Sequence, residues 1–316
     1  MKGRRAGRGI DRNEAKLYKG APMPLFIVVL LAGLQGLAEV LPISGSGHGL
    51  IAAIWVGGSA GVPPALLCGA ILASMAFALR RSLVGAVGEG VRAIARPILF
   101  ATSPGAQVAA VTGVATAASL AISLVARPLA EAGSKEPLAV GVGLLVTAAG
   151  LASTRLAPRA QLETPSLLGA ALVGIAHGLA VAPGASRVAA ALTVLLWLRV
   201  KAPRALELAL LLNLPVLAIT FAEGLLAGGA DQDGAHIEVG TMVAALLVAF
   251  LATSLACAVL RTMVTRGRLA VFALWLMPLG LAMIAYARAL PESASSTSPA
   301  SSPEVQDTYS FDRKEG

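Results

Sequence analysis

Apolar residues gather into runs nearly free of charge, at 65–79, 106–126, 138–154, 205–227, 239–260 and 269–287. A helix needs about 20 residues, within a range of about 17 to 25, to cross a hydrocarbon core of about 30 Å. Most of the runs meet that length and the first is short. The pattern predicts an all-α polytopic membrane protein with about six transmembrane helices.

Two further apolar segments are broken. Residues 24–37 are apolar, then Pro42, Ser44, Gly45, Ser46, Gly47 and His48 interrupt, and apolar sequence resumes over 49–56. The arrangement returns at 167–181, which leads into Pro183, Gly184, Ala185, Ser186 and Arg187 before apolar 188–198. Irregular backbone at membrane depth is tolerated only where protein or a wet cavity surrounds it. Two such breaks in corresponding places therefore predict one shared site, built from two re-entrant helix pairs. The copies also share short sequence, with Gln35, Gly36, Leu37 and Ala38 matching His177, Gly178, Leu179 and Ala180. Three spans between the breaks would invert the second copy, as in many membrane proteins with a midplane site. The expected organisation is a basic N-terminal tail (1–20), a membrane domain (21–290) of repeats at about 24–155 and 165–288, and a disordered Ser/Pro-rich tail (291–316).

Composition agrees with that pattern. The chain is 56% hydrophobic and 13% charged, with a mean hydropathy of +0.78, against roughly 25% charged residues in soluble domains. A formal charge of +8 would suggest nucleic acid in a soluble protein. Here the basic residues fall in the tail and the connections, which suits lipid headgroups and implies no nucleic-acid partner. The N-terminal segment has no small-residue cleavage site and is expected to be retained. Arg80, Arg81, Arg92, Arg96, Arg155, Arg159, Arg261, Arg266 and Arg268 favour their own side as cytoplasmic, whereas the basic tail falls on the other side. Cys68 and Cys257 lie in apolar runs without metal-ligand spacing and read as packing residues.

Candidate chemistry concentrates at the breaks. Gln35 and Glu39, four residues apart, share a helix face, followed by Ser44, Ser46 and His48 in a glycine-rich loop. An intramembrane carboxylate costs a few kcal/mol and usually faces a cavity or partner. Glu39 is thus a functional candidate, the alternative being a neutral carboxyl held at a helix interface. Arg187 cannot shed its proton, and its planar fork suits phosphate oxygens; an ion pair with Glu39 is its structural alternative. His48 stands beside Ser44, Ser46 and Glu39, where proton transfer or attack on phosphorus competes with a plain bond to a backbone carbonyl. Ser44, Ser46, Ser186, Gly184, Gln35 and, as a supporting group, His177 complete the predicted substrate contacts. Gly45, Gly47, Gly49 and Gly184 let amides approach a ligand, and a helix N-terminus after each break favours an anion. His236, with Asp231, Asp233 and Glu238, reads as a solvated acidic loop, and Glu207 and Glu223 read as helix-end residues.

The run from Gln35 to His48, QGLAEVLPISGSGH, resembles the first signature of the bacterial undecaprenyl-diphosphate phosphatase family associated with bacitracin resistance. The run from Pro183 to Arg187, PGASR, resembles its second, and most of residues 24–288 is covered. The resemblance implies removal of the terminal phosphate of undecaprenyl diphosphate, with a divalent cation (Mg²⁺ or Ca²⁺), in the inner membrane of a bacterium. It also implies roles: Glu39 in metal binding or base catalysis, His48 in nucleophilic or acid–base chemistry, Arg187 in gripping the diphosphate, and Ser44, Ser46 and Ser186 as hydroxyls. The chain departs from the family at Gly45, where a serine is usual, at Val188 and Ala189, where Ser-Gly is usual, and near Leu67, where a Gln is usual. The expected partners are a polyprenyl diphosphate and membrane lipids. A polyprenyl-phosphate carrier and an inactive lipid-diphosphate-binding paralogue are the alternative functions.

Overall fold

The structure, a computed structural model, describes residues 24–56, 62–226 and 238–290. Both predicted tails and His236 with Asp231 and Asp233 lie outside the described residues. The helices of more than ten residues are α1 (Leu25–Val40), α2 (Gly45–Val56), α3 (Pro64–Ala78), α4 (Arg80–Ala95), α5 (Pro104–Gly133), α6 (Pro137–Ser153), α7 (Leu167–Leu179), α8 (Arg187–Trp197), α9 (Ala202–Leu226), α10 (Val239–Thr265) and α11 (Val271–Ala289).

Helices α5, α6 with the turn that follows it, α9, α10 and α11 are long and apolar enough to cross a membrane. The short first run becomes the 15-residue α3, after which the chain turns by 81° into α4. At 1.5 Å per residue, α3 alone spans about 22 Å, less than the hydrocarbon core. The paired Arg80 and Arg81 fall at the turn, where the apolar run ends. The four shorter apolar helices are α1, α2, α7 and α8, which flank the two predicted breaks.

Polarity is distributed for lipid rather than water. Phe26, Leu30, Val125, Leu251, Leu255 and Leu274 are exposed, while Ser74, Ser119, Thr147, His177, Asn213 and Thr253 are buried. With no hydrophobic drive between helices in lipid, close packing and interhelical hydrogen bonds hold such a bundle together.

The halves interlock. Helix α1 packs along α10, α7 along α5, and α6 along α11, so the first helix of each break lies against a long helix of the other half. Corresponding glycines permit both approaches: a Cβ on Gly36 would come within 2.5 Å of the Ala249 carbonyl, and one on Gly178 within 2.6 Å of the Ser119 carbonyl. The same two positions accept corresponding hydroxyls, Thr253 donating to the Gly36 carbonyl at 3.2 Å and Ser123 to that of Gly178 at 3.3 Å. Helices α3 and α9 pack together between these pairs, bringing Cys68 against the Leu217 carbonyl.

Candidate active site

The first break forms where Leu41 turns extended before Pro42 and Ser44 adopts φ = 74°. Ser44 then caps α2, its hydroxyl accepting the Gly47 amide at 3.1 Å. The Ser44 carbonyl accepts both the amide of His48, at 3.2 Å, and its ring Nδ1–H, at 3.0 Å. A carbonyl can only accept, so Nδ1 carries the proton and Nε2 is left with a lone pair. The indole N–H of Trp275 donates to that Nε2 at 3.1 Å, with the two rings stacked at 6.4 Å. Both ring nitrogens of His48 are thereby engaged, and the backbone-carbonyl bond that the sequence left open is present.

At the second break Gly184 has φ = 77°, and Ser186 caps α8 by accepting the Ala189 amide at 3.3 Å. The Ser186 amide donates to Thr147 of α6 at 3.2 Å. The breaks meet directly, because the Gly184 amide donates to the Ser46 hydroxyl at 3.2 Å, and Ser46 lies 3.3 Å from the Ser44 hydroxyl. Helices α2 and α8 thus both begin at this junction and direct their positive ends toward it.

Beside the junction lies a cavity of about 440 Å³ that Gln35, Glu39, Gly49 and Arg187 line together. Its walls are apolar, with Leu31, Leu34, Leu67, Ile71 and Leu217. Glu39 Oε1 accepts the side-chain amide of Asn213 at 3.4 Å. Arg187 is half-buried. Among the described residues the ion pairs are Arg127 with Glu131 and Glu223, Lys201 with Glu163, and Arg204 with Glu207, so Glu39 and Arg187 share a cavity without a direct ion pair between them. Glu207 and Glu223 are spoken for in these pairs.

The predicted residues therefore divide into groups. Gln35, Glu39 and Arg187 face the cavity; Ser44, Ser46, His48 and Gly184 form the junction beside it; Ser186 turns its hydroxyl back to cap α8. His177 is fully buried and lies 2.8 Å from Ser119 through Nδ1. A second cavity of about 990 Å³, lined by Arg80, Arg81, Lys201, Arg204 and Arg261, sits at the other ends of α3 and α9 and includes none of the break residues.

Asn213, Trp275 and Thr147 also belong to the site, and the sequence reading passed over all three. Asn213 carried a signal, since it is the single polar side chain between Leu208 and Ile219. Trp275 and Thr147 offered none, lying in apolar runs where an indole or a hydroxyl is commonplace.

The chain is similar to known proteins over this whole region. A family model described as bacitracin resistance protein BacA matches residues 28–282. A protein of Treponema denticola named undecaprenyl-diphosphatase is 28% identical over 268 residues, covering 84% of this chain and 98% of the relative. Proteins of the same name from Korarchaeum cryptofilum and Maricaulis maris are 29% and 31% identical, covering 83% and 84% of this chain and 99% of each relative. Because the matched span takes in both breaks, the cavity between them and the long helices around it, the chain belongs to the BacA family.

Proposed function

We propose that this protein removes the terminal phosphate of undecaprenyl diphosphate, releasing undecaprenyl phosphate and inorganic phosphate in a bacterial inner membrane. The observation that carries the reading is the pairing of Glu39 and Arg187 across one apolar-walled cavity without an ion pair between them. A guanidinium with no carboxylate ion pair among the described residues can receive phosphate oxygens, and the apolar walls suit an isoprenoid chain. The relatives' name supplies the substrate.

Arg187 binds and orients the diphosphate, assisted by the amides at the start of α8. The hydroxyls of Ser44 and Ser46 already accept amides, which supports a role in holding the junction, and residue 45 has no hydroxyl. In this reading water is the attacking group. Its oxygen bonds to the terminal phosphorus, the bond from that phosphorus to the bridging oxygen breaks, and Glu39 accepts the proton. His48, bonded at both ring nitrogens, fixes the first turn of α2.

The donor set also suits a divalent cation. Among the described residues no three His, Cys, Asp or Glu side chains cluster as a metal cage. Mg²⁺ needs none when substrate phosphates supply ligands beside one or two protein carboxylates. Glu39, with the Gln35 carbonyl, would hold it on the protein side. Such an ion supplies charge neutralisation on the phosphoryl oxygens.

Replacing Glu39 with Gln should abolish phosphate release while the detergent-purified protein stays folded. Undiminished, cation-dependent release by that variant would remove Glu39 from the chemistry. Transport of the lipid phosphate without any phosphate release by the wild-type protein would favour a carrier instead.

A further inference from the structure

Four polar side chains from four helices meet in the leucine-rich interior behind the cavity. Asn213 on α9 is fully buried and donates from Nδ2 to Glu39 Oε1. His177 on α7 is fully buried, and its Nδ1 lies 2.8 Å from the hydroxyl of Ser119 on α5, which is buried as well. Two atoms in this group lack a partner at bonding distance, Asn213 Oδ1 and His177 Nε2. The two side chains carrying them lie near each other, with no hydrogen bond formed between them.

Their chemistry is complementary. Glu39 as a carboxylate offers only acceptors, so the Asn213 amide must turn its NH₂ toward Glu39 and its oxygen away. That oxygen needs a donor, which the Nε2–H tautomer of His177 can supply. With the proton on Nε2, Nδ1 accepts the Ser119 hydroxyl. A small approach of His177 to Asn213 would then satisfy all the groups: Ser119 O–H to His177 Nδ1, His177 Nε2–H to Asn213 Oδ1, and Asn213 Nδ2–H to Glu39 Oε1.

We propose that Asn213, held by His177 and Ser119, is a positioning residue that fixes the Glu39 carboxylate, an inference that rests on Glu39 acting at the diphosphate site as proposed above. Oε1 is tied to Asn213, and Oε2 faces the start of α2, where a Cβ on residue 45 would lie 3.1 Å from it. The carboxylate therefore presents one oxygen to the protein interior and one to the site. Groups that orient a catalytic or metal-binding side chain typically change activity or metal affinity by roughly 10- to 100-fold when removed.

The test compares Asn213→Leu, which fills similar space without polar atoms, with His177→Leu and His177→Gln. Gln retains both an N–H donor and an oxygen acceptor, so His177→Gln keeps the chain intact while His177→Leu breaks it. Each detergent-purified variant is assayed for kcat and KM on undecaprenyl diphosphate, and for the Mg²⁺ concentration giving half-maximal rate. A second readout is the rise in melting temperature produced by Mg²⁺ with undecaprenyl diphosphate, which reports on the site without turnover. The expected result is a kcat loss of roughly 10- to 100-fold for both Leu variants, with KM little changed, a higher Mg²⁺ requirement and a smaller ligand-induced rise, all restored in His177→Gln. Leu variants that melt earlier but keep wild-type kcat, Mg²⁺ requirement and ligand-induced rise would overturn the inference and leave the chain a purely structural network. If Asn213→Leu fails to fold, the contrast between the two His177 variants decides alone. A wild-type protein that releases no phosphate would sink the phosphatase reading, while the ligand-induced rise across the variants would still uphold or overturn the role of Asn213.

Discussion

The Gly184 amide donates to the Ser46 hydroxyl at 3.2 Å, joining the two helix breaks across 138 positions of sequence. Each break leaves backbone groups that lipid cannot satisfy. Here they are satisfied by each other and by the helices that pack on them, α6 above all. The Ser186 amide of the second break donates to the Thr147 hydroxyl of that helix, and its glycine lies against the Val140 carbonyl.

Gly184 therefore tolerates no side chain. It sits at φ = 77°, and a Cβ would come within 2.0 Å of the Val140 carbonyl. Strained φ for a non-glycine residue costs on the order of 1–3 kcal/mol, before any overlap is counted. Gly184→Ala should lower the melting temperature markedly and abolish phosphate release. The control is Gly113→Ala, at a helical glycine with nothing within 4 Å, where the change should be neutral or stabilising by up to about 1 kcal/mol. Equal melting temperatures for the two variants would contradict the packing described at the second break.

Trp275 fixes His48 through one hydrogen bond and one stacked ring. Trp275→Phe keeps an aromatic ring and removes the donor, so a loss of about 1 kcal/mol is expected, with a larger loss for Trp275→Ala. Nitrogen-15 NMR on histidine-labelled protein should show His48 protonated at Nδ1 in the wild type. Protonation at Nε2 instead would contradict the assignment made from Ser44 and Trp275.

Gly45 is the glycine of the first break that lies nearest Glu39. A Cβ there would lie 3.1 Å from Glu39 Oε2 and 3.6 Å from Gln35 Nε2, both flexible side-chain ends. A small residue is accommodated by slight movement of those ends, whereas a large one must displace the carboxylate from the cavity. Gly45→Ser should keep most of the wild-type rate, and Gly45→Leu should abolish release with the fold retained, as read by gel filtration and melting temperature. Full activity in Gly45→Leu would place the reacting phosphate away from Glu39.

Much of the architecture was legible in the sequence, because a membrane span announces itself by length and apolarity, and a break by proline, glycine and serine where neither belongs. Gln35, Glu39 and Arg187 were legible for the same reason, as polar groups at membrane depth. The relations between distant segments were not. Nothing local ties Ser46 to Gly184, His48 to Trp275 or Glu39 to Asn213; each contact arises because helices of one half pack against the other. His177 shows the limit from the other direction, since its repeat partner Gln35 faces the cavity while His177 turns inward to Ser119. The shortness of the first run was visible, but the 81° turn after it was not.

The most direct measurement is inorganic phosphate released from undecaprenyl diphosphate by the purified protein, with Mg²⁺ or with chelator, beside Arg187→Ala. Cation-dependent release by the wild-type protein, lost in Arg187→Ala at an unchanged melting temperature, is the predicted result. Release that survives Arg187→Ala would contradict the assignment of the cavity between the two breaks as the diphosphate site.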